Sequence, residues 1–161
     1  MNTDRPHPVN ERGRVAASPP APLARRGWAL VLFRAATTAA AALAAAEPVL
    51  AGGLLQGHYA MLATHNKMAV YLAVALLVAL LGAVLTWRAA RAAVLCAVAL
   101  LLCIAQMVLG YTRDLIIHVP LGVLLVALVV YLPVLAWRMP LSTPRPVPAG
   151  WPANQQPAVR L

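Results

Sequence analysis

Three stretches of this chain carry no charged residue: Met68 to Trp87, Ala92 to Thr112 and Leu115 to Trp137. Each matches the roughly 20 apolar residues that an α-helix needs to cross the hydrocarbon core of a bilayer. A soluble domain cannot do this, because about a quarter of its residues are charged. Here 11% are charged and 62% are hydrophobic. A fourth run, from Trp28 to Gly53, is interrupted by Arg34 and by Glu47-Pro48. Arg34 lies one turn inside that run, and its long stem lets the guanidinium snorkel to the interface. The sequence therefore predicts an all-α integral membrane protein: a four-helix bundle with helices over about residues 29–53, 65–87, 92–112 and 115–137.

The two ends of the chain are different material. Of the 14 prolines, five precede Trp28 and six follow Met139. Proline-rich, arginine-bearing segments of this kind cannot bury enough apolar surface to fold. Residues 1–27 and 139–161 are thus expected to be disordered basic tails flanking a membrane unit over 28–138. The first apolar run is too long for the core of a secretory signal and no convincing cleavage site follows it, so it is expected to stay as the first helix.

Orientation follows from the cations. Four helices place both tails and the link between the second and third helices on one side, with Arg5, Arg12, Arg14, Arg25, Arg26, Arg88, Arg91, Arg138, Arg145 and Arg160, and Arg34 beside them. The other side has only Lys67 and Arg113. The positive-inside rule then puts both termini in the cytoplasm of a cell membrane such as a bacterial inner membrane. The formal net charge of +9 therefore reports topology. A nucleic-acid partner is not expected, since the arginines lack the interleaved aromatics of a binding surface. The lipid bilayer is the expected partner. Small-residue surfaces at Gly52-Gly53 and Ala35 to Ala46 could serve the bundle or a second copy, so the oligomeric state stays open.

Cys96 and Cys103 are seven residues apart in the third helix, a rise of about 10.5 Å that excludes a disulfide within it. No Cys-x-x-Cys-His is present, which excludes covalent c-type haem attachment. Both read as small packing residues on one helix face.

Two histidines remain conspicuous. His65 opens the second helix and His118 the fourth, both at the non-cytoplasmic end. Measured back from Trp87 and Trp137, their depths differ by only about 4.5 Å. His65-Asn66-Lys67-Met68-Ala69 and His118-Val119-Pro120-Leu121-Gly122 share a form that puts a small residue, Ala69 or Gly122, one turn below each histidine. A flat macrocycle held by two axial imidazoles needs such a gap. The preceding helices also match, Glu47-Pro48-Val49-Leu50-Ala51-Gly52 resembling Gln106-Met107-Val108-Leu109-Gly110, so the chain reads as two copies of a helix pair. Bis-histidine ligation of a b-type haem is one reading, with metal ligands His65 and His118, with Gln106 and Glu47 as acceptors for the far ring nitrogens, and with Lys67 and Arg113 available to the propionates. His58 and Met61 are lesser ligand candidates. The alternative for each histidine is an interfacial side chain among lipid headgroups.

These residues resemble the haem A synthase family. Gln106 to Gly110, a short outer loop and then His118 with Gly122 are similar to the corresponding helices of that family, and His65 to its first ligand. The family has two four-helix halves, each with a histidine pair on its second and fourth helices. The resemblance covers one half, about residues 28–138, and is greater still to small single-unit four-helix membrane proteins of unknown function with the same His-x-x-x-Gly arrangement. It implies a haem-holding or electron-transfer role, with a quinol or another redox partner. Haem oxidation is not implied, because Leu62 stands where that family has a glutamate three residues before its histidine, and the outer loops lack cysteines. Two other functions fit the residues. One is a small transporter built on Glu47, an ionisable residue inside a membrane segment. The other is an accessory protein whose Arg25-Arg26 cluster touches anionic lipid.

Overall fold

The computed structural model describes residues 22–86 and 89–140. The two tails expected to be disordered, apart from Pro22 to Gly27 and Met139-Pro140, lie outside the described residues, as do Trp87 and Arg88. Four helices account for nearly all of the rest: α1 (Pro22–Leu55), α2 (Met61–Leu85), α3 (Ala90–Thr112) and α4 (Leu115–Arg138). There is no strand among the described residues. Each helix is long and apolar enough to cross a membrane. The chain is a multi-pass, all-α membrane protein.

The largest departure from expectation is at the start of α1, which begins at Pro22 and not near residue 29. Proline is well tolerated in the first turn of a helix, where its missing N–H would have had no partner. The alanine-rich sequence that follows has the highest intrinsic helix propensity. With 34 residues, α1 is about 51 Å long at about 1.5 Å per residue, more than a bilayer core requires. Similarly, α2 begins at Met61, one turn before His65.

Links between helices are short. The tightest is Arg113-Asp114. Arg113 adopts the left-handed conformation (φ 59°), its N–H donates to Gly110 O, and the Asp114 N–H donates to Leu109 O. This six-to-one, five-to-two pattern closes α3 as a Schellman motif. Asp114 then starts α4, its carboxylate accepting from the Ile117 N–H at 3.4 Å and its carbonyl from the His118 N–H at 2.9 Å.

The helices pack around a square, α1 and α3 each lying between α2 and α4. One set of buried positions follows the same rule in all four helices. They are Phe33, Thr37, Ala40 and Ala44 in α1; Leu72, Leu76, Ala79 and Ala83 in α2; Ala92, Cys96, Ala99 and Cys103 in α3; and Leu125, Val129, Leu132 and Ala136 in α4. Each set steps by four, three and four residues, the a/d seam of a heptad. Most of these side chains are small. Lipid tails are as apolar as a leucine, so association rests on close packing, which small residues permit. Gly82 shows how close: a Cβ there would lie 3.1 Å from the N, Cα and Cβ of Phe33. Thr37, the one fully buried polar residue among the described residues, turns its hydroxyl back to Phe33 O at 2.9 Å. Large aliphatic side chains such as Leu77, Leu101, Ile116 and Val123 face outward. Free Cys96 and Cys103 are buried on the seam, where the sequence reading placed them as packing residues.

Arg34 does not simply reach for the interface. Its Nε donates to Ala136 O at 3.2 Å and its Nη2 to Met139 O, so it closes the last turn of α4 from α1. The guanidinium carbon stands 4.9 Å from the Trp137 ring centroid. Carbonyls at a helix C-terminus lack intrahelical donors and carry partial negative charge, which suits a cation.

Candidate functional site

Continuing the seam toward the end of the bundle away from the chain termini, the next position on α1 is Glu47, on α2 it is Ala69 and then His65, on α3 it is Gln106 and then Gly110, and on α4 it is Gly122 and then His118. The four polar side chains therefore occupy core positions, where a helix in lipid would otherwise place alanine or leucine. All four are partly buried. The registers of α1 and α3 superimpose position for position, Ala44 with Cys103 and Glu47 with Gln106. Those of α2 and α4 do too, His65 with His118, Ala69 with Gly122 and Leu72 with Leu125. The two-copy pattern read from the sequence thus extends through the whole core.

The two imidazoles meet across the bundle, with ring centroids 6.5 Å apart and planes inclined at 62°. Each presents its Nδ1 to the neighbouring helix. His118 Nδ1 lies 3.1 Å from the backbone carbonyl of Gln106, to which it can donate. Gln106 answers with its side chain, Nε2 donating to His118 O at 2.7 Å. These reciprocal bonds clasp α3 to α4. His65 Nδ1 stands 2.5 Å from Glu47 Oε2 on α1, close enough for an ion pair. Glu47 Oε1 and Gln106 Oε1 are buried and accept from no donor among the described residues. Because the Gln106 carbonyl can only accept, a neutral His118 carries its proton on Nδ1 and leaves Nε2 with a free lone pair.

The glycines at this end serve close contact. A Cβ on Gly110 would lie 3.2 Å from His118 Cε1, so the imidazole rests on the α3 backbone. A Cβ on Gly122 would lie 2.7 Å from Gln106 Nε2. This corrects one expectation: the space below His118 is not an open gap for a macrocycle, because the Gln106 amide fills it to reach the His118 carbonyl. Ala69 contributes its carbonyl, 3.9 Å from Cys103 Sγ.

Other sequence candidates are not drawn in. Lys67 and Arg113 are exposed, and no side-chain hydrogen bond or ion pair joins either to the cluster among the described residues. His58 lies in the exposed link before α2. Met61 packs its sulfur where a Cβ of Gly53 would be. Among the described residues no three His, Cys, Asp or Glu side chains converge as metal ligands. The sequence named Glu47 and Gln106 as acceptors for the ring nitrogens; the structure pairs Glu47 with His65 and turns the backbone carbonyl of Gln106, not its side chain, to His118.

Comparison with protein-family models, curated proteins and solved structures finds no match to this chain.

Proposed function

We propose that this membrane protein holds one haem b between His65 and His118 and uses it for electron transfer. The observation that carries the reading is the paired imidazoles, 6.5 Å apart, each with its Nδ1 turned to an acceptor on the preceding helix. Two imidazoles sharing one metal stand about 6 Å apart, from metal–nitrogen bonds of about 2 Å and ring radii of about 1 Å. Iron in a porphyrin requires only two axial ligands from the protein. A metal held by protein side chains alone needs a larger donor set than the two histidines supply. The Glu47 carboxylate and the Gln106 carbonyl act as the outer partners that orient ligating histidines and raise their basicity.

A haem in this place supplies one-electron chemistry, and a quinol in the bilayer and an acceptor at the outer face are the partners proposed for it. Orientation with both termini in the cytoplasm, from the arginine distribution, puts the site near the outer face of a cell membrane. Leu62, in place of the glutamate, is the reason haem oxidation is not proposed. Lys67 and Arg113 are the cations available to haem propionates at that end.

Absorption spectroscopy of the full chain, purified after expression with ample haem, tests the reading. The expected result is a Soret band that is lost or altered in His65→Ala and in His118→Ala. A colourless protein would refute it.

The contact of Glu47 with His65 also favours a second reading, since carboxylate and imidazole chains inside membrane bundles mark proton relays. Proton-coupled uptake into vesicles that disappears in Glu47→Gln, in a protein without haem, would select that reading.

A further inference from the structure

We propose that Arg34 and Trp137, at the end of the bundle that carries the chain termini, form a binding site for the phosphate of one anionic phospholipid. The site lies at the far end from the histidines and stands with or without a haem.

Arg34 is half-buried where α1 meets the end of α4. Its Nε donates to Ala136 O at 3.2 Å and its Nη2 to Met139 O. A guanidinium carries five N–H donors in one plane, so a donor edge is left over. Nη1, with two of those donors, meets no acceptor among the described residues. The charge is not matched either. The carbonyls at the end of a helix supply only about half a negative charge. The acids among the described residues are Glu47 and Asp114, and both belong to the other end of the bundle. Glu47 is thirteen residues along α1 from Arg34, about 20 Å away. Asp114 caps the far end of α4. Arg34 therefore keeps free donors and net positive charge at the edge of a membrane.

Trp137 sets the depth and completes the site. Its ring centroid stands 4.9 Å from the guanidinium carbon, and its indole N–H donates to Thr38 Oγ1 at 3.3 Å. The Thr38 hydroxyl in turn donates to Arg34 O at 2.8 Å. The ring is thus tied to α1 and to the cation, yet it is 62% exposed. It closes the charge-free run of α4, and Arg138 follows it. An exposed tryptophan at such a boundary lies at the level of the headgroups. The abundant anion at that level is the lipid phosphodiester, whose two free oxygens suit the fork of a guanidinium. A zwitterionic headgroup brings its own ammonium to the phosphate, so an anionic lipid is preferred. Inorganic phosphate shares the chemistry but not the anchorage in the bilayer.

The test uses the full chain with Trp28→Phe, Trp87→Phe and Trp151→Phe, so that Trp137 alone fluoresces. The vesicles mix brominated phosphatidylglycerol with unbrominated phosphatidylcholine, and then the reverse. Quenching should report anionic lipid held about fivefold more tightly than zwitterionic lipid, as one arginine near a charged leaflet supplies. Added inorganic phosphate should leave that preference unchanged. Arg34→Gln should abolish it, with helical circular dichroism checking that the variant folds. Arg91→Gln, which removes an exposed cation of the same end from the start of α3, should keep it. Arg34→Lys, with the charge kept and the fork lost, should show about half the preference, giving an answer even if Arg34→Gln fails to fold. The site is overturned by no preference in the chain with Arg34 intact, by equal losses in Arg34→Gln and Arg91→Gln, by a full preference in Arg34→Lys, or by displacement with inorganic phosphate. A preference that emerges only after Asp4→Asn and Glu11→Gln also overturns it, since a tail carboxylate then occupies the arginine.

Discussion

Gly53 and Gly82 both lie in helices and both have close neighbours across the α1–α2 contact, yet alanine at the two positions should act with opposite sign. In a helix interior, alanine is favoured over glycine by up to about 1 kcal/mol. At Gly82 the new methyl would meet the N, Cα and Cβ of Phe33, each at 3.1 Å. Phe33 is fully buried and its backbone belongs to α1, so relief requires the two helices to separate by a few tenths of an ångström along their tightest approach. Overpacking of this kind costs about 1–3 kcal/mol, which outweighs the propensity gain and leaves Gly82→Ala less stable by about 1 kcal/mol. At Gly53 the methyl would overlap the sulfur of Met61, which lies near the end of a flexible side chain and can swing away toward the link. There the propensity gain should prevail, at about 0.5 kcal/mol after a discount for the last turns of α1. Equilibrium unfolding of the two variants in one detergent, followed by helical circular dichroism, would measure the difference. Gly82→Ala at or above wild-type stability would refute the claim that Gly82 sets the spacing of α1 and α2.

Arg34→Ala should destabilise the bundle by about 2 kcal/mol, since two carbonyls at the end of α4 lose a charged donor and Trp137 loses its cation. The same unfolding assay reports it, and Arg34→Lys should restore only part, because an ammonium cannot span Ala136 O and Met139 O with a planar fork. Arg113→Gly should stabilise by up to about 1 kcal/mol by relieving a left-handed non-glycine residue, measured as a later unfolding midpoint. A fluorescent protein fused to the C-terminus should be fluorescent in cells, as expected for a cytoplasmic end; a dark fusion with an outward-active reporter would reverse the orientation read from the arginines.

The number of helices and their approximate spans were legible because charge-free runs of membrane length permit little else. The packing was not. In a soluble helix, apolar residues mark the buried face, whereas here both faces are apolar: Ala40, Ala99 and Cys96 lie inside but so do Leu76 and Leu132, while Val98 and Leu101 lie outside. The repeated four-three spacing becomes visible once burial is known, and it shows that Glu47, His65, Gln106 and His118 sit on the same seam. The sequence marked out Glu47, His65, Gln106 and His118 and the repeat of a helix pair. It could not say that Gln106 would act on His118 through both backbone and side chain, or that Gly122 would make room for that amide. Arg34 illustrates the same limit: its partners, Ala136 and Met139, are backbone carbonyls on a helix distant in the chain, which carry no sequence signal.

His65 and His118 are proposed to bind one iron together. Electron paramagnetic resonance of the oxidised, full-length protein, combined with a haem-to-protein ratio, tests it most directly. Expected are one haem per chain and a low-spin ferric signal of bis-imidazole type that disappears in each single histidine variant. A chain that takes up no haem, or whose signal is the same in wild type, His65→Ala and His118→Ala, would contradict it.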